Sequence, residues 1–370
     1  MSIPKFINLL TTKLPGAKQQ HVLEVPGNCS RLFRSQEEAE TQPTAHVKFA
    51  LDVRKGYISN SLFNPRVISY DLNYYTGNQP HLAESQSILA QLIAQQPKIF
   101  ELPIVDIGCG QGEIVNYLRT LGIQAKGFDP VLRETNEFLH NTLYSPSVEG
   151  NEQPALYIFR CVIPHVENPW KFLSEFLNEN SYAYVEFQDF NWTLKNKAWQ
   201  QISHDHVNMF TKNDFASEYN VIASGEFLKE EWSWVLIKKS EKVNRRPRKI
   251  EIDPYKQEEI QSLLAQRHTD ISLIGRMKKR VVIYGAAGKG INLAFALKSN
   301  GVTSIVATDQ DGQRWGRYME CSGVPVVSPE VVKSTISSQN LVISANPNHF
   351  HTARAEFGDT PTYFSLGIEE

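Results

Sequence analysis

Two histidine sites and one glycine turn are where this chain could do chemistry. Ser203-His204-Asp205-His206 is the densest set of titratable groups in the middle of the chain, and His165 follows Pro164 after an apolar run. Imidazole titrates near neutrality, so these groups suit general acid–base work. Read as extended backbone, His204 and His206 face one side and Asp205 the other. A His-x-His pair is also a metal-ligand spacing, and that alternative stays open. The glycine turn is Asp106-Ile107-Gly108-Cys109-Gly110-Gln111-Gly112, with Asp129 further on. Glycines let a ligand lie against the main chain without meeting a Cβ. An acid closing the next strand suits a ribose diol, because a carboxylate can accept from both hydroxyls. Glu113 sits at the start of the following helix, where it would compete with a phosphate for the positive dipole end. The expected ligand is therefore cationic or zwitterionic, not a pyrophosphate.

These residues need a β-α-β unit to position them. The apolar run Ile104–Ile107 reads as its first strand, the spacing of Ile114, Val115, Leu118 and Leu121 as its helix, and a short apolar stretch before Asp129 as its second strand. The alternation continues. A strand is expected over 155–162, a helix over 170–177, and strands over 182–187 and 232–238; upstream, 82–93 has helical spacing. Such alternation predicts a parallel sheet covered on both faces. The pattern then restarts: a helix over 254–277, a strand over 280–284, the turn Gly285-Ala286-Ala287-Gly288-Lys289-Gly290, a helix, and a strand closed by Asp309. That turn fits neither G-x-G-x-x-G nor the P-loop, since Lys289 precedes glycine rather than Ser or Thr. The fold class expected is α/β. Residues 1–75 form a small mixed N-terminal domain, 76–240 a Rossmann-like ligand domain, and 241–370 a second Rossmann-like domain.

Composition narrows the partners. With 38 basic and 40 acidic residues the formal charge is −2, so no overall basic field attracts nucleic acid. The basic run 238–249 contains Pro247 and reads as a solvated linker. No apolar run reaches the ~18 residues of a membrane span, and the N-terminus has no signal-peptide pattern. Cys29, Cys109, Cys161 and Cys321 are scattered without metal-type spacing, so no metal is expected and a reducing cytoplasm fits.

The D-x-G-x-G-x-G spacing followed by an acid looks like the S-adenosylmethionine (SAM) site of class I methyltransferases. Asp106, Gly108, Gly110, Gly112 and Asp129 are then the cofactor residues. Over roughly residues 50–350 the order of features resembles the bacterial sugar C-methyltransferases of deoxysugar pathways. The matching motifs are Tyr70–Tyr75, Asp106–Gly112, Pro164-His165-Val166, Ile202–Phe210, Tyr284–Gly290, and Asp309 with Gly316-Arg317-Tyr318. The resemblance implies a SAM domain flanked by a zinc domain and a C-terminal Rossmann-like domain, and methylation of a ring carbon in a nucleotide-linked ketosugar. It assigns proton transfer to His206 and Asp205, puts His204 in the same run, and places His165, Tyr74, Tyr75, Lys289 and Asp309 against substrate. Two departures stand out. The paired Cys-x-x-Cys of the zinc domain is absent, Asp52–Gly56 standing in its place, so an N-terminal domain held by packing is expected. The family's Tyr-His-Glu-His run is here Ser203-His204-Asp205-His206.

If the acceptor is carbon, a proton beside a carbonyl must be removed to give an enolate, which calls for a base and a group to hold the oxyanion. His206 is the expected base and Asp205 its orienter. The competing readings are an O- or N-methyltransferase of another small metabolite, and a SAM- or nucleotide-binding protein without turnover. Oligomeric state stays open.

Overall fold

The computed structural model describes residues 22–28, 30–51, 56–71, 73–74, 81–146, 153–240 and 254–367. Tyr75, Cys29 and the 52–55 stretch, on which the substrate and zinc readings lean, lie outside them.

A seven-stranded sheet occupies the middle of the chain. In chain order its strands are Ile104–Ile107, Ala125–Phe128, Leu139–His140, Leu156–Arg160, Tyr182–Gln188, Asn220–Phe227 and Trp232–Lys238. Laid side by side they run sixth, seventh, fifth, fourth, first, second, third. The first five are parallel, and the seventh is antiparallel to both its neighbours. The chain therefore switches direction across the sheet between its first and fourth strands, opening a crevice at their carboxyl ends. The sequence reading placed the strands at 104–107, 156–160, 182–188 and 232–238 within two residues, and missed the two edge strands, 139–140 and 220–227.

Side-chain alternation explains why these strands read as continuous apolar runs. Val105, Tyr157, Phe159, Ala183, Val185, Phe187, Val235 and Ile237 face one side, where helix Pro169–Phe176 delivers Leu173 and Phe176. Ile104, Leu156, Ile158, Tyr184 and Leu236 face the other, under helices His81–Gln95 and Glu113–Thr120. A sheet covered on both faces has no polar side to show.

A second sheet is entirely parallel, in the order Val326–Val327, Ile305–Thr308, Arg280–Tyr284, Asn340–Ser344, Thr362–Phe364. Helix Gly288–Ser299 follows its first strand, and the long helix Pro254–Met277 precedes it.

The N-terminal region is built into both. Ile58–Asn60 pairs with Asn208–Met209 of the middle region, and Leu32–Phe33 with Tyr318–Met319 of the C-terminal one. Its buried Leu23, Val25, Leu32, Val47 and Ile58 join one core with Trp199, Ile202, Ile283 and Met319. Arg31 ties the N-terminal region to the C-terminal one: one guanidinium nitrogen donates to Asp71 at 2.7 Å, the other to Gln42 at 2.9 Å and Glu320 at 3.1 Å. Among the described residues no helix is long and apolar enough to cross a membrane.

Candidate active site

The glycine turn leaves strand Ile104–Ile107 at the crevice. Gly108 has φ +69°, and a Cβ there would come within 2.6 Å of the Val162 side chain. Gly112 caps the next helix in left-handed geometry, with a Cβ position 2.7 Å from Leu139. Only glycine passes both points without strain. The Asp129 carboxylate is fixed by the turn it faces: Oδ2 accepts the Gly110 N–H at 3.0 Å and Oδ1 the Val131 N–H at 2.8 Å. Burial raises its pKa, opposed by these two hydrogen bonds. Each oxygen keeps a second lone pair for a hydroxyl.

Asp106 is 1% exposed, and its Oδ1 has no hydrogen-bond partner. Burial pushes its pKa to about 8, against the pull of Arg160. A buried carboxyl with an unused oxygen beside an open backbone turn fits a ligand that carries an ammonium and a sulfonium. A cation arriving there would pull the pKa back down. SAM binding at pH 7 should therefore release protons, up to about one per site. Calorimetry in buffers of different ionisation enthalpy measures this, and an Asp106→Asn variant should abolish most of the release.

Arg160, Glu186 and Tyr184 form a buried network beside Asp106 that the sequence reading missed. Glu186 Oε2 accepts from Arg160 Nε and from the Ser85 hydroxyl, both at 2.9 Å, and Oε1 accepts the Tyr184 hydroxyl at 2.6 Å. Strand register puts Glu186 opposite Arg160, and Asp106 opposite Ile158 on the same face. One signal was available: Arg160 and Glu186 interrupt otherwise apolar strand runs near their carboxyl ends. His81 stacks on Trp232 at 4.5 Å, and burial lowers its pKa to about 3, so it is neutral.

The histidine run does not stay extended. The backbone bends at His204 and Asp205, which separates His204 from His206 and corrects the expectation that they share a face. His204 is fully buried against the N-terminal region: Nδ1 donates to the His46 carbonyl at 2.9 Å, Nε2 accepts the Asn64 N–H at 2.9 Å, and Phe63 stacks on the ring at 5.3 Å. With one nitrogen donating and the other accepting, it is a neutral tie between chain segments. The metal pair conceivable for His204 and His206 is thereby split.

His206 meets His165 instead, their ring centroids 4.7 Å apart. His165 ends the short 3-10 turn Ile163–His165 beyond strand Leu156–Arg160. Its Nδ1–H donates to the Asp205 main-chain carbonyl at 2.8 Å, which leaves Nε2 as an acceptor. The Asp205 carboxylate lies 3.9 Å from the same Nδ1 and is 1% exposed. His165, Asp205 and His206 each place a potential ligand atom within 4.8 Å of the others. Burial lowers the His206 pKa to about 4; His165 pushes the same way and Asp205 opposes. Tyr70 reaches the cluster with its hydroxyl 3.3 Å from His165 Nδ1, and Tyr74 packs edge-on against Tyr70 at 4.9 Å.

Of the expected substrate contacts in the C-terminal unit, Asp309 repeats the Asp129 geometry. Its oxygens accept the Ala286 N–H at 2.7 Å and the Asp311 N–H at 2.9 Å. Lys289 is engaged by Glu231, which also accepts from Asn346 at 2.9 Å and Asn348 at 3.0 Å. Its ammonium sits at the seam between the two Rossmann-like units, near enough to lower the pKa values of His81 and His206.

Residues 81–219, the stretch holding the turn, Asp129 and the histidine cluster, match a family model described as a methyltransferase domain. The chain carries a SAM-dependent methyltransferase domain. No curated protein matches it in sequence. Solved structures similar to this methyltransferase include a SAM-dependent methyltransferase of Anabaena variabilis at 16% identity and TM-score 0.31, covering 43% of this chain and 90% of that one. A 1,6-didemethyltoxoflavin N1-methyltransferase of Burkholderia thailandensis is 11% identical, with TM-score 0.31 over 44% of this chain and 80% of that one. The magnesium protoporphyrin IX methyltransferase of Synechocystis PCC 6803 is 15% identical, with TM-score 0.31 over 43% and 84%.

Proposed function

We propose that this methyltransferase methylates a carbon beside the carbonyl of a nucleotide-linked ketosugar, with His206 removing the proton. The observation that carries the reading is the His165–Asp205–His206 cluster, in which His165 follows strand Leu156–Arg160 by way of Val162, the residue that packs on Gly108 of the glycine turn. Bound SAM supplies a methyl group activated by a sulfonium. Asp106, Gly108, Gly110 and Asp129 hold and orient it, and Gly112 sets the turn.

His206 is unprotonated at neutral pH, because burial and His165 hold its pKa near 4. It is ready to accept a proton, and the Asp205 carboxylate steadies the imidazolium that results. His165, with its N–H committed to the Asp205 carbonyl, offers Nε2 to a substrate hydroxyl. Asp309 and the Gly285–Gly290 turn repeat a ribose-type arrangement, and take the nucleotide end of the substrate. Tyr74 acts by packing Tyr70 against His165.

The depressed proton affinity of His206 also favours a second reading. A base of pKa near 4 is weak for a carbon acid, and a more acidic O–H or N–H of another small metabolite would ask less of it. Incubation with 13C-methyl SAM and a nucleotide-linked 4-ketosugar, read by carbon NMR, decides between them, since C-methyl and O-methyl carbons resonate far apart. Mass spectrometry of molecules that co-purify with the protein identifies the acceptor directly.

The base has a pH signature. kcat/KM should fall as pH drops through about 4, where His206 becomes protonated, and not near the ordinary histidine value of 6.5. His165→Asn removes a group that lowers the His206 pKa, so the acid limb should move upward in pH. A limb that stays near 6.5 in both proteins assigns the base elsewhere.

A further inference from the structure

We propose that Arg160 anchors the carboxylate of SAM's methionine end, with its guanidinium held in place by Glu186. The proposal concerns the cofactor alone. Methylation at carbon, oxygen or nitrogen leaves it untouched.

Strand register sets the position. Asp106 pairs with Ile158, so Arg160 lies two residues farther toward the carboxyl end of the neighbouring strand. Side chains alternate along a strand, which puts Asp106, Ile158 and Arg160 on one face. Val162, two residues after Arg160, packs on Gly108 where the glycine turn leaves the sheet. Neighbouring strands lie ~4.8 Å apart, so an amino acid whose ammonium sits on Asp106 has Arg160 beside its other charged group.

Glu186 decides which edge of the guanidinium is left over. Its carboxylate is fully buried and both oxygens are engaged: Oε2 accepts from Arg160 Nε and the Ser85 hydroxyl, and Oε1 from the Tyr184 hydroxyl. Arg160 Nη1 and Nη2 have no hydrogen-bond partner among the described residues, and the side chain keeps 13% of its surface exposed where that of Glu186 keeps none. Two terminal nitrogens in one plane are the fork from which a carboxylate accepts with both oxygens. A buried cation is stable when its remaining donors are also satisfied, and a carboxylate from outside completes the set.

Charge balances on the same view. With Asp106 ionised, Asp106, Glu186 and Arg160 sum to one net negative charge. SAM brings one net positive charge, ammonium and sulfonium against carboxylate. The amino-acid end is then read at both of its charged groups, the ammonium at Asp106 and the carboxylate at Arg160.

Calorimetric titration of the full chain with SAM and with decarboxylated SAM, S-adenosyl-3-methylthiopropylamine, tests this. The second ligand keeps the ammonium and the sulfonium and lacks only the carboxylate. The wild type should bind SAM at least about tenfold more tightly, as a charge-assisted hydrogen bond predicts. Decarboxylated SAM carries the larger positive charge and would be favoured by bare carboxylates, so a preference for SAM runs against the simple field of Asp106 and Asp129. Arg160→Met should weaken SAM by about tenfold or more and leave decarboxylated SAM within about threefold of wild type, so that the discrimination disappears. That substitution strands the buried Glu186 carboxylate. Arg160→Met combined with Glu186→Gln removes both charges and should show the same pattern. Arg160→Lys keeps a charge without the fork and should fall between. Equal binding of the two ligands by the wild type overturns the proposal, whether or not the variants fold. Equal weakening of both ligands in the Arg160 variants also overturns it, and makes the Arg160–Glu186 pair purely structural.

Discussion

His206→Ala should lower kcat by ~10²–10⁴-fold, the usual cost of removing a positioned base, while SAM affinity stays near wild type. Two features separate these effects. His206 sits in the cluster with His165, 4.7 Å between ring centroids. The cofactor turn is held instead by its own network through Asp129. Incubating the protein with ketosugar in D₂O without SAM reports proton removal by itself, as loss of the proton beside the carbonyl. Exchange should be fast in the wild type and nearly absent in His206→Ala. Exchange that persists in His206→Ala but vanishes in Asp205→Asn moves the base to Asp205. Methylation at oxygen or nitrogen removes the enolate from the mechanism altogether.

For Asp129→Ala the expected loss is in cofactor binding. Two hydrogen bonds from a ribose diol to a carboxylate are commonly worth ~1.5–3 kcal/mol each. The alanine also strands the Gly110 and Val131 N–H groups that the carboxylate now satisfies. Since ~1.4 kcal/mol is tenfold in affinity, the SAM Kd should rise by at least about a hundredfold. Asp129→Asn keeps one acceptor oxygen and should fall between the two. Calorimetric titration measures all three. Tight NADH binding with no response to SAM would contradict the assignment of the turn.

Much of the scaffold is legible along the chain because its interactions are local. The turn at Gly108–Gly112 announces itself, since positive φ and a close neighbour at the Cβ position leave glycine as the unstrained choice. The strands 104–107, 156–160 and 182–188 read as apolar runs because helices cover both faces of their sheet. The second unit reads the same way: a strand, a glycine turn and an acid recur at 280–309. Asp129 and Asp309 could be paired with their turns from spacing alone, and each takes an N–H from its own turn.

What surrounds His206 was decided by contacts between distant parts of the chain. In sequence His204 and His206 are equivalent. A bend at His204 and Asp205 gives one imidazole to backbone groups of His46 and Asn64 and brings the other against His165, some forty residues upstream. The Arg160–Glu186 pair exists only through strand register. The strands of the N-terminal region are completed by residues 208–209 and 318–319, which no local pattern specifies, since hydrogen-bonding edges carry no sequence signature of their partner. The sequence alone determined the glycine turn and the two alternating α/β units, because periodicity and glycine conformation act within a few residues. The tertiary structure alone decided which histidine is scaffold and which joins His165 and Asp205, because burial and hydrogen-bond partners are set by neighbours distant along the chain.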